Sequence, residues 1–223
     1  LGTSFHRLNE HQKAKDCFEK AIKINPYSED AYTNLGIIFQ VWGENEKIID
    51  CFKKVIDINP DNLQVINLLG SVLSDHHFNS YYKEKTEIFK SLFLFLFKKN
   101  AKHSRLSKNA KLLLFSMEEQ KQLEKVVNSE SLFENEVLQK LLKEELFHLM
   151  LQKSLITDVI LEKIIIGIRH KILLTLENSN IDKLKDYLNF IISLAEQSWL
   201  NEYIYIQSEE EINLVNKLKQ KIN

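Results

Sequence analysis

Apolar residues recur along nearly the whole chain at intervals of three and four, the spacing that lines one face of an α-helix. Early in the chain, Tyr32, Leu35 and Phe39 mark one helix, and Ile48, Phe52 and Val55 mark the next. Within residues 131–153, Leu138, Leu141, Leu142, Leu146 and Leu149 form one apolar stripe. Thr157 and Asp158 open a helix whose Val159, Ile160, Leu161, Ile164, Ile165, Ile166, Ile168, Ile172 and Leu173 cover most of its circumference. Apolarity nearly all round predicts a central helix. Leu184, Leu188, Ile191, Ala195 and Trp199 form a further stripe, and a more charged, peripheral helix spans Glu209–Ile222. Capping boxes, in which a Ser or Thr is followed three residues later by Glu, stand at Ser116…Glu119, Ser131…Glu134 and Ser208…Glu211. The single strand-like stretch, YIYI at 203–206, is short and ambiguous. The expected fold class is all-α.

The first third of the chain repeats itself. CFEKAIKINP (17–26) returns as CFKKVIDINP (51–60), 34 positions later. Each landmark of the repeat has a physical reason. Gly36 lets the two helices of a unit approach where a Cβ would intervene, and Gly43 ends the first of them in a left-handed turn. Pro26 and Pro60 close the second helix and push Asn25 and Asn59 out of helical conformation. Ser28 and Asp61 stand where N-caps of the following helices are wanted. A 34-residue period with this pattern resembles the tetratricopeptide repeat (TPR) family, which implies stacked helix pairs around a peptide-binding groove. One unit runs from Leu1-Gly2 and Phe5 through Ala14, Phe18, Ala21 and Pro26, a second from Tyr32 to Pro60. A third begins with Ile66, Leu69-Gly70 and Leu73, then decays. His77 replaces the turn glycine, Tyr82, Thr86 and Phe89 stand for Ala, Phe and Ala, and Leu94 stands for Pro. The expectation is about 2.5 repeats as a short superhelix over residues 1–97, packed on a helical bundle or linker domain over 98–223. Because the first unit begins in mid-helix, the chain is expected to be a piece of a longer protein. The half-open unit would allow self-association.

Composition narrows the function. With 30 Lys and Arg against 31 Asp and Glu, the net charge of −1 provides no field for nucleic acid or anionic membrane. The longest apolar run, Leu92–Phe97, falls short of the roughly 20 residues a bilayer needs. Cys17 and Cys51 occupy the same place in successive repeats, beyond disulfide reach, and read as reduced thiols of a cytoplasmic protein. The basic run of 98–111 lacks interleaved aromatics and reads as a solvated linker.

No reactive constellation declares a chemistry. The five glycines form no phosphate- or cofactor-cradling loop, so no cofactor is expected and the chain reads as non-catalytic. Glu144 and His148, at i and i+4, lack the further ligands a zinc site needs and read as a solvated ion pair. His76-His77 reads as turn polarity. A second resemblance covers roughly residues 110–212. Thr157-Asp158, Leu161-Glu162, Arg169 and Gln197…Asn201-Glu202-Tyr203 resemble the helical segment that joins TPR arrays to S-adenosylmethionine-dependent methyltransferase domains in bacterial proteins. That resemblance implies an interaction and linker region of such an enzyme, its catalytic domain lying outside this chain. The alternative is a freestanding TPR adaptor. Gln197, Trp199, Asn201, Glu202 and Tyr203 are candidate docking residues for the missing domain, against the plainer reading of a helix with one wet face. The candidate peptide groove is lined by Thr33, Asn34, Ile37 and Gln40, continued by Asn67, Ser71 and Ser74. Asn34 resembles the asparagine with which some TPR arrays hold a peptide backbone, although its counterpart one repeat on is Leu68.

Overall fold

A computed structural model describes residues 1–75, 85–99, 106–127, 129, 132–156, 158–178, 181–200 and 209–222. Among them are 13 α-helices, two 3-10 segments and no strand. The chain divides into two compact units, Leu1–Phe78 with Ala101–His103, and Asn79–Asn100 with Ser104–Asn223. No helix of the described residues is long and apolar enough to cross a membrane.

The first unit holds α1 (Gly2–Arg7), α2 (His11–Ile24), α3 (Glu29–Trp42), α4 (Asn45–Ile58) and α5 (Leu63–Leu73). Helices α1 with α2 and α3 with α4 pack as hairpins, and α2 also packs on α3. The expected close approach is present twice. A Cβ at Gly36 would sit 2.5 Å from Phe52 Cε1, and one at Gly2 would sit 2.8 Å from Phe18. The two contacts are related by the 34-residue period. The hairpin turns obey it too, because Gly43 (φ 71°) and Asn9 (φ 59°), also 34 apart, both take the left-handed conformation. Asn25 and Asn59, ahead of the prolines, are extended, and their side-chain oxygens accept from the backbone N–H of Tyr27 and Asp61. Ser28 caps α3 as expected. The expected cap Asp61 does not cap α5. Asn62 does, accepting from Val65 N at 3.0 Å, in the place that Ser28 holds 34 residues earlier.

One bond set explains why the array stops. The Glu29 carboxylate, in the first turn of α3, accepts from Asn59 Nδ2 (3.0 Å) and Asn62 Nδ2 (2.7 Å). It thus ties the start of one repeat to the loop that opens the next. The residue 34 positions after Glu29 is Leu63, which cannot accept, and the place of Phe52 falls to Thr86. The tie to a next repeat and the phenylalanine that would lock its helix pair are missing together. Thr86 and Phe89 belong to α6 (Thr86–Lys98), which runs through Leu94 as expected but belongs to the second unit. The compact units therefore divide nearer residue 78 than the expected 97. His77 and Tyr82 lie outside the described residues.

The second unit continues with α7 (Leu106–Leu114), α8 (Met117–Val126), α9 (Glu136–Leu142), α10 (Glu145–Lys153), α11 (Val159–Glu177), α12 (Leu188–Leu200) and α13 (Glu209–Ile222). Its 3-10 segments are Leu132–Glu134 and Ile181–Tyr187. The hub is α10, which packs on α6, α7, α9 and α12 and buries Leu146, Phe147, Met150 and Leu151. Phe147 stacks on Phe190 of α12, ring centres 5.7 Å apart. The stripe expected over 131–153 is broken at Lys143–Glu144 into two helices, and Leu149 is only half-buried. Helix α11 is not the centre. It buries Leu161, Ile164, Ile165, Ile168 and Ile172 against α8 and α13, while Val159 is 64% exposed. Helix α12 is turned from the expected stripe: Leu188 and Ala195 are exposed, and Tyr187, Phe190, Ser193, Leu194 and Gln197 point inward. The 3-10 segment before it explains the rotation. At about three residues per turn instead of 3.6, Tyr187 falls on the same face as Leu184, and Phe190 and Leu194 carry that face on in place of Leu188 and Ile191.

Of the three expected capping boxes, the one at Ser116 is complete. Its Oγ accepts from Glu119 N, and Glu119 Oε2 accepts from Ser116 N. Ser131 and Ser208 lie outside the described residues. Asp158 caps α11 by accepting from Leu161 N at 2.9 Å, and Lys111 and Gln120 donate to the same carboxylate. Burial pushes the Asp158 carboxyl upward, but the Lys111 ammonium and the helix N–H groups outweigh it and hold the carboxyl below its ordinary range. A depressed folded value contributes stability above the unfolded value, near pH 3.9, which is lost as pH falls through the folded one. Asp158→Asn is therefore expected to lower the melting temperature at neutral pH, with the gap to wild type closing below about pH 4. A constant gap across an acid titration of Tm would refute this.

Candidate functional site

Helices α3 and α5 are the first helices of successive repeats, so residues 34 apart occupy equivalent places. Ile37 pairs with Ser71, Gln40 with Ser74 and Thr33 with Asn67. Gln40, Asn67 and Ser71 are exposed, and Asn34, Ile37 and Ser74 are half-buried. Thr33 is 3% exposed and lies beneath the surface that its neighbours form. The reason is packing: α3 has both α2 and α4 packed extensively against it, whereas the main partner of α5 among the described helices of this unit is α4. Asn34 Nδ2 donates to the Asp30 carbonyl at 2.7 Å, which leaves its side-chain carbonyl turned away from the helix backbone. Ser74 Oγ donates to the Gly70 carbonyl at 2.7 Å. None of the seven residues carries a charge. They offer amide and hydroxyl groups beside one aliphatic side chain, which suits hydrogen bonding to peptide groups better than clamping a carboxylate or phosphate.

Residues 1–28 and 17–50 match family models described as tetratricopeptide repeats. Within the N-terminal unit, residues 1–50 are thus similar to tetratricopeptide repeats. No curated protein matches the chain. In TPR terms, the Gly–Phe contacts lock the two helices within a repeat, and the Glu29 bonds link one TPR to the next. Sequence reasoning missed Glu29. The available signal was the doubled pattern of Asn25 with Ser28 and Asn59 with Asn62, which places a polar pair ahead of each TPR helix.

Outside the TPR unit, several expected sites resolve differently. Gln197 is 0% exposed and lies in the interior of the second unit near Ser193, whose Oγ accepts from Gln152 Nε2. The phase of α12 turns Gln197 inward, so it is not on the wet face of that helix. The side chain of Trp199 and all of Asn201, Glu202 and Tyr203 lie outside the described residues, as does His76-His77. Glu144 and His148 do not pair. Glu144 accepts from Lys90 Nζ at 3.0 Å, and a ring nitrogen of His148 lies 2.8 Å from the Leu142 carbonyl. Glu144 is the N-cap of α10, its carbonyl accepting from His148 N at 3.2 Å, and its extended backbone takes its side chain off the helical face that an unbroken helix would give it. In the basic run, Lys98 pairs with Glu145, and residues 106–111 belong to α7, where Ser107, Asn109 and Ala110 are buried. That part is core helix, not linker.

Both cysteines are free, Cys17 half-buried and Cys51 buried. Burial, with the charge of Asp50, pushes the Cys51 thiol up to about 12, so it is no nucleophile at neutral pH. Among the described residues, no three or more His, Cys, Asp or Glu converge as a metal site. Arg169 and Glu211 form an ion pair that sequence reasoning did not foresee. Arg169 Nε and Nη2 donate to the two carboxylate oxygens at 3.2 and 2.9 Å. The contact joins α11 to the first turn of α13.

Proposed function

We propose that the TPR unit binds an uncharged stretch of a partner protein across α3 and α5, through Asn34, Ile37, Gln40, Asn67, Ser71 and Ser74. One observation carries the reading. In two helices in repeat register, Asn34, Gln40, Asn67, Ser71 and Ser74 offer uncharged hydrogen-bonding side chains that are exposed or half-buried, Gln40 and Ser74 at equivalent places. Most apolar residues of both helices, though not Val41, Trp42 or Leu63, are buried. TPR repeats generally mediate protein–protein contacts and are typically non-catalytic, which agrees with a binding role. The resemblance of residues 110–212 to a methyltransferase linker supports a finer form, in which the bound protein is delivered to a methyltransferase on the same polypeptide. A strand and Gly-rich loop encoded within about fifty codons after Asn223 would support that form. A stop codon there favours the adaptor.

Binding is tested with a peptide selected on an array and followed by fluorescence polarisation. The triple variant Asn34→Ala, Gln40→Ala, Ser71→Ala is expected to weaken it at least tenfold, about 1.4 kcal/mol or more. Lys54→Ala, on the exposed face of α4, should leave it unchanged. Selected peptides that bind the triple variant as tightly as wild type would refute the site.

A further inference from the structure

The first TPR turn carries two histidines that the fold does not require. His6 closes α1, His11 opens α2, and left-handed Asn9 between them folds one ring against the other. Their Nδ1 atoms are 3.3 Å apart and their ring centres 5.2 Å apart. The same turn one repeat later, built on Gly43, has Gln40 and Asn45 in these places and closes equally well. The rings are therefore an addition to the turn.

We propose that the His6 and His11 Nδ1 atoms form a two-imidazole binding site for a divalent transition-metal ion of the zinc class. Zinc–imidazole bonds of about 2.0–2.1 Å at a tetrahedral angle separate two ligand nitrogens by about 3.3–3.4 Å and their ring centres by about 5 Å. Both separations are already present. Imidazole suits zinc, copper and nickel, whereas calcium and magnesium want oxygen. Both rings are half-buried, so an ion reaches them from solvent, and water fills its other positions. The nearest carboxylate, Glu10, pairs with Lys13, and the Lys13 ammonium also stands 5.6 Å from the Phe5 ring centre. Arg7 is exposed. In the absence of an ion the two Nδ1 atoms stand within hydrogen-bond distance of each other. An ion would take both as acceptors, with each ring proton on Nε2. The ion would staple α1, whose six residues are too few to hold a helix alone, to α2.

The test is a zinc titration of the whole chain, read by long-range proton–nitrogen spectra of the imidazoles. Nδ1 of His6 and His11 should shift together and saturate at one ion. His6→Gln and His11→Gln should each weaken binding at least tenfold, with helix content in the metal-free state unchanged. The wild-type spectra decide the matter even if a variant folds poorly. No saturable change at these two rings in millimolar zinc, or undiminished affinity in either variant, overturns the proposal.

Discussion

Arg169→Ala is expected to destabilise the second unit by about 3–5 kcal/mol, as breaking one side of a buried pair does elsewhere. The side chains of Arg169 and Glu211 are 14% and 5% exposed, so the loss is not discounted for solvent screening. Truncation removes the two charge-assisted bonds and leaves a carboxylate buried at the start of α13 without its guanidinium. The penalty lies in a buried carboxylate that has lost its guanidinium, not in the worth of the pair. Replacing both partners by apolar groups, as Arg169→Met with Glu211→Leu, should accordingly cost little or even stabilise. Denaturant unfolding gives the stability, and hydrogen exchange over 209–222 locates the loss. An Arg169→Ala variant within about 1 kcal/mol of wild type would show that water replaces the guanidinium and that the pair does not hold α13.

Phe52→Ala should cost the TPR unit about 3–5 kcal/mol, the range for emptying a fully buried phenylalanine site. Phe52 is 0% exposed and fills the gap left by the missing Cβ of Gly36. The two positions should therefore be coupled. Gly36→Ala alone gains helix propensity of about 1 kcal/mol but drives its methyl into the ring, so destabilisation is expected. In a Phe52→Ala background the same substitution should turn stabilising, because the obstacle is gone. Trp42, at the end of α3, reports this unit when Trp199 is replaced by Phe. A double-mutant cycle with no coupling energy would mean that close approach does not limit packing within the repeat.

The reading of the chain succeeded where a local rule repeats and failed where phase accumulates. In the TPR unit, Gly43, Asn59-Pro60 and Ser28 each act within a few residues of themselves, and a second copy 34 residues away checks each assignment. The candidate surface inherits that register, so Gln40 and Ser71 could be placed from periodicity alone, whereas the burial of Thr33 depends on what packs beside α3. In the second unit no copy exists to check a phase. One 3-10 segment turned α12 away from its apparent stripe and took Gln197 into the interior. A break at Lys143–Glu144 gave Glu144 to Lys90 and His148 to the Leu142 carbonyl.

What the sequence determined by itself is the class of fold, the repeat and its helix ends, because capping, left-handed turns and proline restriction are short-range effects written in neighbouring residues. Tertiary structure alone decided which faces of the second unit are inside and which charges meet. Arg169 finds Glu211 across 42 positions, and Glu29 finds Asn59 and Asn62 across 30 and 33. Such partners become neighbours only once the helices have packed, so nothing local in the chain encodes their meeting.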